Sequence, residues 1–190
     1  MLSKHQTKVA VTMRRLRNAL AYRFDVPDEI QRLILEQPLS DYFLYLEKVH
    51  IDAKELIPKV QPPGLGITRQ DSTSTRRYRQ NLAKACVEIL AATFLMFRKF
   101  RPDELSLVDA VAQFGQKMDA VLQQNSYKRG WGDLPVSWFW LRMEDELAEL
   151  RAVVIQFESG EPIGWEPVVK EAIDVANFSL MVLDVLELLE

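Results

Sequence analysis

Glycine and cysteine are scarce in this chain, with 7 Gly and 1 Cys among 190 residues. A lone cysteine excludes any disulfide within the chain, and the apolar setting of Cys86 (AKACVEIL) predicts a packed thiol. The two histidines, His5 and His50, have no cysteine or histidine partner at zinc-ligand spacing, so they are expected at the surface or satisfied in the core. Long apolar runs are also missing. None approaches the length of about 18 residues that a membrane span needs. The N-terminal stretch MLSKHQTKVAVTMRRLRNAL scatters basic residues where a secretory signal would have a continuous apolar segment. A cytoplasmic protein is therefore expected. No Gly-x-x-x-x-Gly-Lys-Ser/Thr loop occurs, which argues against a P-loop, and Gly64-Leu-Gly66 is too short to be more than a turn.

Strand-like alternation is equally sparse, and the apolar residues recur at helical spacing almost throughout. This predicts an all-α protein with helices over about 4–22, 28–36, 40–57, 75–99, 104–125, 135–157 and 166–189. Three breaks divide them. KVQPPGLGITRQDSTST (59–75) has loop composition, and FRKFRPDELS places Pro102 ahead of an acidic first turn, a helix start and domain boundary. In FESGEPIGWEP, Gly160 is expected to end one helix and Pro167 to stand in the first turn of the next. The charge divides at the same place. Residues 1–104 carry 18 Lys+Arg against 12 Asp+Glu, and residues 105–190 carry 6 against 15, so +6 and −9 sum to the net −3.

Two helices in the acidic half hold candidate chemistry. On a helical wheel, Val136, Phe139, Met143, Leu147, Leu150 and Val154 form a core stripe, with Glu146 and Glu149 on its flank and Asp145 pointing away. The following helix is apolar on almost every side from Val168 to Leu183. Yet it carries Glu171 and Asp174 three residues apart, and Asn177 one turn further. Buried carboxylates need partners or a metal. Antiparallel packing across a short loop would bring Glu146 and Glu149 to Glu171 and Asp174. Four oxygen donors of one sign suit a hard divalent cation, with Mg²⁺ the expected one. The plainer alternative is that Arg142 and Lys170 neutralise these acids in ordinary salt bridges.

The pattern Glu146-x-x-Glu149 followed by Glu171-x-x-Asp174 resembles the signature of the all-α, MazG-like nucleoside triphosphate pyrophosphohydrolases. EAIDVANFSLMVLD (171–184) is similar to their last motif helix, and NSYKRGWGDLP (125–135) to the Asn-x-x-Lys-x-x-Trp stretch that precedes their first acidic helix. The resemblance covers about residues 105–188. It implies a MazG-like helical bundle that hydrolyses a nucleoside triphosphate to monophosphate and pyrophosphate. Mg²⁺ would be held by Glu146, Glu149, Glu171 and Asp174, with Glu149 or Glu146 accepting a proton from water. Lys128 would contact the triphosphate, Trp131 stack on the base, and Asn177 bind substrate or orient a metal-bound group. A dimer or tetramer is implied as well.

Residues 1–104 carry no such resemblance and form an N-terminal helical region of unassigned role beside the 105–190 domain. Lys4, Lys8, Arg14, Arg15, Arg17 and Arg23 lie in a stretch without acids, and Arg76, Arg77 and Arg79 open a later helix. As a nucleic-acid contact these would meet phosphates; as a solvated face they need no partner. FLYLEKVHI and ILAATFLMF are expected in the core. The rival reading is a helical nucleic-acid-binding or adaptor protein whose acidic site is structural, and a third is a module that senses a nucleotide without hydrolysing it. Burial of Glu171 and Asp174 separates them, because an adaptor has no need of carboxylates in a core helix.

Overall fold

A computed structural model describes residues 36–60, 73–100, 106–124 and 134–186. The described residues are all-α: α1 Leu39–Lys54, α2 Ile57–Val60, α3 Thr73–Lys99, α4 Leu107–Gln124, α5 Val136–Glu158 and α6 Glu166–Val185. The helix expected over 4–22, and all but Glu36 of the one expected over 28–36, lie outside them.

Local chemistry sets the ends. The helix expected over 40–57 stops at Lys54 and restarts at Ile57, because Pro58 has no N–H to return to the Lys54 carbonyl and fits only in a first turn. α4, expected from about 104, begins after Ser106. The Ser106 hydroxyl accepts the Asp109 N–H (3.2 Å) and donates to its carboxylate (2.6 Å), a reciprocal cap. α5 ends as expected at Gly160, whose φ of 80° is a left-handed conformation that favours glycine. There the Glu161 N–H bonds the Gln156 carbonyl and the Gly160 N–H that of Phe157, satisfying two orphan acceptors. Pro167 stands in the first turn of α6, also as expected.

α6 lies centrally, packed on α3, α4 and α5, while α1 covers α3 and α5. Helices on both sides of the expected boundary at 104 share one hydrophobic core. Its centre is aromatic: the Phe114 ring of α4 lies 5.7 Å from that of Phe94 and 5.5 Å from that of Phe97. Phe100 stacks on Trp165 and meets Phe157 edge-on, which closes the α5–α6 turn against the end of α3. Cys86 is buried, as expected. His50 is a core histidine stacked on Trp140 at 4.8 Å, its Nε2 hydrogen-bonded to the Trp140 carbonyl. Burial pushes its pKa below the ordinary value. By length and composition α3 could cross a membrane, but just over half of its most apolar window is buried among the other helices.

Candidate metal centre

The turn between Ser159 and Trp165 reverses the chain, so α6 runs back along α5 and the two acidic pairs meet. All six residues of the expected α5 core stripe are buried, which fixes the rotation of the helix and leaves Glu146 and Glu149 at the edge of the α6 contact. Glu146 is half-buried, Glu149 exposed and Glu171 buried, and one oxygen of each lies within 4.8 Å of the others. Two oxygens across one Mg²⁺ are about 4.2 Å apart, so small side-chain adjustments would bring this trio onto a single ion. Asp174, the fourth expected acid, is one turn from Glu171 with its side chain 20% exposed.

The electrostatics show how closely the acids act on one another. Burial, then the charges of Asp174 and Glu149, push the Glu146 carboxyl up to about 7, against a lowering by Arg142. The expected salt bridges are present too. Lys170 Nζ donates to Glu171 Oε1 at 2.7 Å and to Asp174 at 3.3 Å, and that shared ion pair raises its own pKa. Arg142 meets Asp145 at 2.6 Å and Glu146 at 3.6 Å.

Two cations do not satisfy the cluster. The second oxygen of Glu171, Oε2, is buried and has no hydrogen-bond partner among the described residues. Glu171 is only 7% exposed, so this is a carboxylate oxygen held away from water with a lone-pair face unused. An all-oxygen donor set, a mutual spacing that suits one ion and an orphaned buried carboxylate oxygen together fit a hard divalent cation.

Asn177 lies one turn beyond Asp174 and is 3% exposed. Its Nδ2 donates to the Met118 carbonyl of α4 at 3.4 Å, while its Oδ1 has no partner among the described residues. The contact brings α4 to the site, which the sequence pattern did not show. Asp119, next to Met118, also keeps a buried Oδ1 without a partner among the described residues, and its other oxygen accepts from Gln123 at 2.7 Å. No spacing signal marked it, because α4 carries no second acid one turn away. Lys128 and Trp131 lie outside the described residues, as do His5 and the basic residues of 4–23. Arg76 and Arg77 are exposed on the first turns of α3.

No family model, curated protein or solved structure matches this chain.

Proposed function

We propose that the protein hydrolyses a nucleoside triphosphate, a deoxynucleoside triphosphate first among them, to the monophosphate and pyrophosphate with Mg²⁺. The observation that carries this reading is Glu171: a carboxylate inside a core helix, one oxygen unpartnered, within 4.8 Å of two other glutamates. A helical scaffold gains nothing from that arrangement, since a buried carboxylate oxygen left without a partner destabilises the fold. The resemblance of both acidic motifs to those of the MazG-like pyrophosphohydrolases supplies the reaction.

Glu146, Glu149, Glu171 and Asp174 would hold the ion. Mg²⁺, when bound, neutralises phosphate oxygens and acidifies a coordinated water. The chain's own residues do the rest. Glu149 is the exposed member of the trio and would take the proton from the attacking water. Glu146, its carboxyl near 7 in the metal-free site, stands ready to lose its proton when positive charge arrives. Lys170 is 63% exposed at the side chain and bridges Glu171 and Asp174; it is free to turn from them towards a phosphate. Lys128 and Trp131 keep the triphosphate and base roles that the resemblance gives them. Hydrolysis cuts the anhydride between the α- and β-phosphoryl groups, water supplying hydroxyl to one product and a proton to the other.

The test is a panel of canonical and modified (d)NTPs incubated with the full chain and Mg²⁺, scored for pyrophosphate and monophosphate. Equimolar release of both, abolished by EDTA, is expected for at least one member. Release of orthophosphate, or no turnover across the panel, contradicts the reading.

A further inference from the structure

The acid cluster already holds a cation that belongs to the chain. Lys170 stands one residue before Glu171 and one turn before Asp174 on α6. Its Nζ donates to Glu171 Oε1 at 2.7 Å and to Asp174 Oδ2 at 3.3 Å, so one ammonium bridges two of the four carboxylates. The acids and their counter-ion are anchored unequally. The side chains of Glu171 and Asp174 are 10% and 20% exposed, and that of Lys170 is 63% exposed. Packing therefore sets the carboxylates, and the lysine reaches them from the solvent side on a flexible four-carbon stem.

The bridge leaves work undone. Lys170 serves Oε1 of Glu171, while Oε2 stays buried without a partner among the described residues. On the α5 side, Arg142 reaches Glu146 only at 3.6 Å, its nearer partner being Asp145 at 2.6 Å. A divalent ion bonded to Glu171 would complete the site, but not beside the ammonium. With a Mg–O bond of about 2.1 Å, an ion sharing Oε1 with Nζ would stand only about 4 Å from it. Like charges that close in a half-buried site repel strongly. Entry of the ion and departure of the lysine are then one event. The salt-bridged acids and the metal-holding acids become two states of a single site.

We propose that Lys170 is a resident counter-ion, held on Glu171 and Asp174 in place of a divalent cation and expelled when one binds. The proposal rests on the reading of the cluster as a cation site and is tested without activity. Calorimetric titration of the full chain with Mg²⁺ would compare wild type, Lys170→Met and Arg142→Met. Lys170→Met should bind about five- to tenfold more tightly, because no charge-assisted hydrogen bonds have to be broken first. Arg142→Met removes a neighbouring charge that does not occupy the site, and should gain no more than about twofold. In EDTA, Lys170→Met should melt below wild type, since Glu171 loses its counter-ion, and saturating Mg²⁺ should close the gap. If that variant fails to fold without metal, Lys170→Gln replaces it. The release is read directly in wild type. Labelling of Lys170 by an amine-reactive ester, followed by peptide mass spectrometry, should rise about threefold or more at saturating Mg²⁺ as the ammonium loses its carboxylates. Lys54, paired with Glu144 across the α1–α5 seam, is the internal control and should not change. Wild-type binding with Lys170→Met no tighter, or Lys170 labelling indifferent to Mg²⁺, would overturn the exchange alone. Absence of Mg²⁺ binding in wild type and variant alike would overturn the cation site with it.

Discussion

Asp174→Asn is expected to lower Mg²⁺-dependent pyrophosphate release by about 10²–10³-fold, with Glu149→Gln losing at least as much. Asp174 is the strongest charged influence on Glu146, and together with Glu171 it holds Lys170 at the site. Replacing it by a neutral isostere removes one quarter of the negative charge available to an ion. The shape of α6 is unchanged. Stability without metal should be preserved or improved, since the substitution relieves repulsion within the cluster. Losing turnover while keeping stability is the mark of a functional group; a structural one would lose both. Glu144→Gln is the matched control: it lies on the same helix, but its carboxylate faces Lys54 in the α1 seam at 3.0 Å. Its turnover should equal that of wild type. Steady-state pyrophosphate assays on the four proteins, with thermal melts in EDTA, check the set.

The second large effect is on folding. Phe114→Ala should cost about 3–5 kcal/mol, because the ring is fully buried and its loss leaves a cavity beside two other aromatic rings. Those two rings, Phe94 and Phe97, come from α3, and Phe114 comes from α4 across the expected domain boundary. One cooperative urea transition is therefore expected, moved bodily to lower denaturant with its slope kept. Two transitions, with only one of them moved, would mean that the halves fold separately and that the shared core contributes little.

Much of the fold was legible because helices declare themselves by period. The stripe from Val136 to Val154 rotated α5 correctly, and Gly160 and Pro167 marked the α5–α6 turn that makes the acidic pairs meet. Glu171 was legible as an anomaly, a carboxylate where the pattern asked for an apolar residue. Pro58 was a missed break, since a proline near the end of an apolar stripe looks like its last residue until the hydrogen bond it cannot make is counted. Ser106 carries a cap signal of its own, three residues ahead of Asp109, which the Pro102 break and its acidic neighbours outweighed in the sequence. Other features are tertiary, and periodicity holds no signal for them. The stacking of His50 on Trp140 depends on which face of α1 meets α5. The Asn177–Met118 contact depends on how α4 lies across α6. Arg142 and Lys170 were legible as partners of the acids, but the oxygen they leave unsatisfied on Glu171 is visible only in three dimensions.

The central claim is that four carboxylates on α5 and α6 form a divalent-cation site, and calorimetric titration with Mg²⁺ tests it most directly. With the Glu146 carboxyl near 7, binding must displace its proton, so affinity should be about tenfold weaker at about pH 6 than at about pH 8, with about one proton released at the lower pH. Glu171→Gln should abolish saturable binding at both. Saturable binding that weakens with acid and vanishes in the variant is the predicted result. No binding heat at either pH, or binding that survives Glu171→Gln unchanged, would contradict the account.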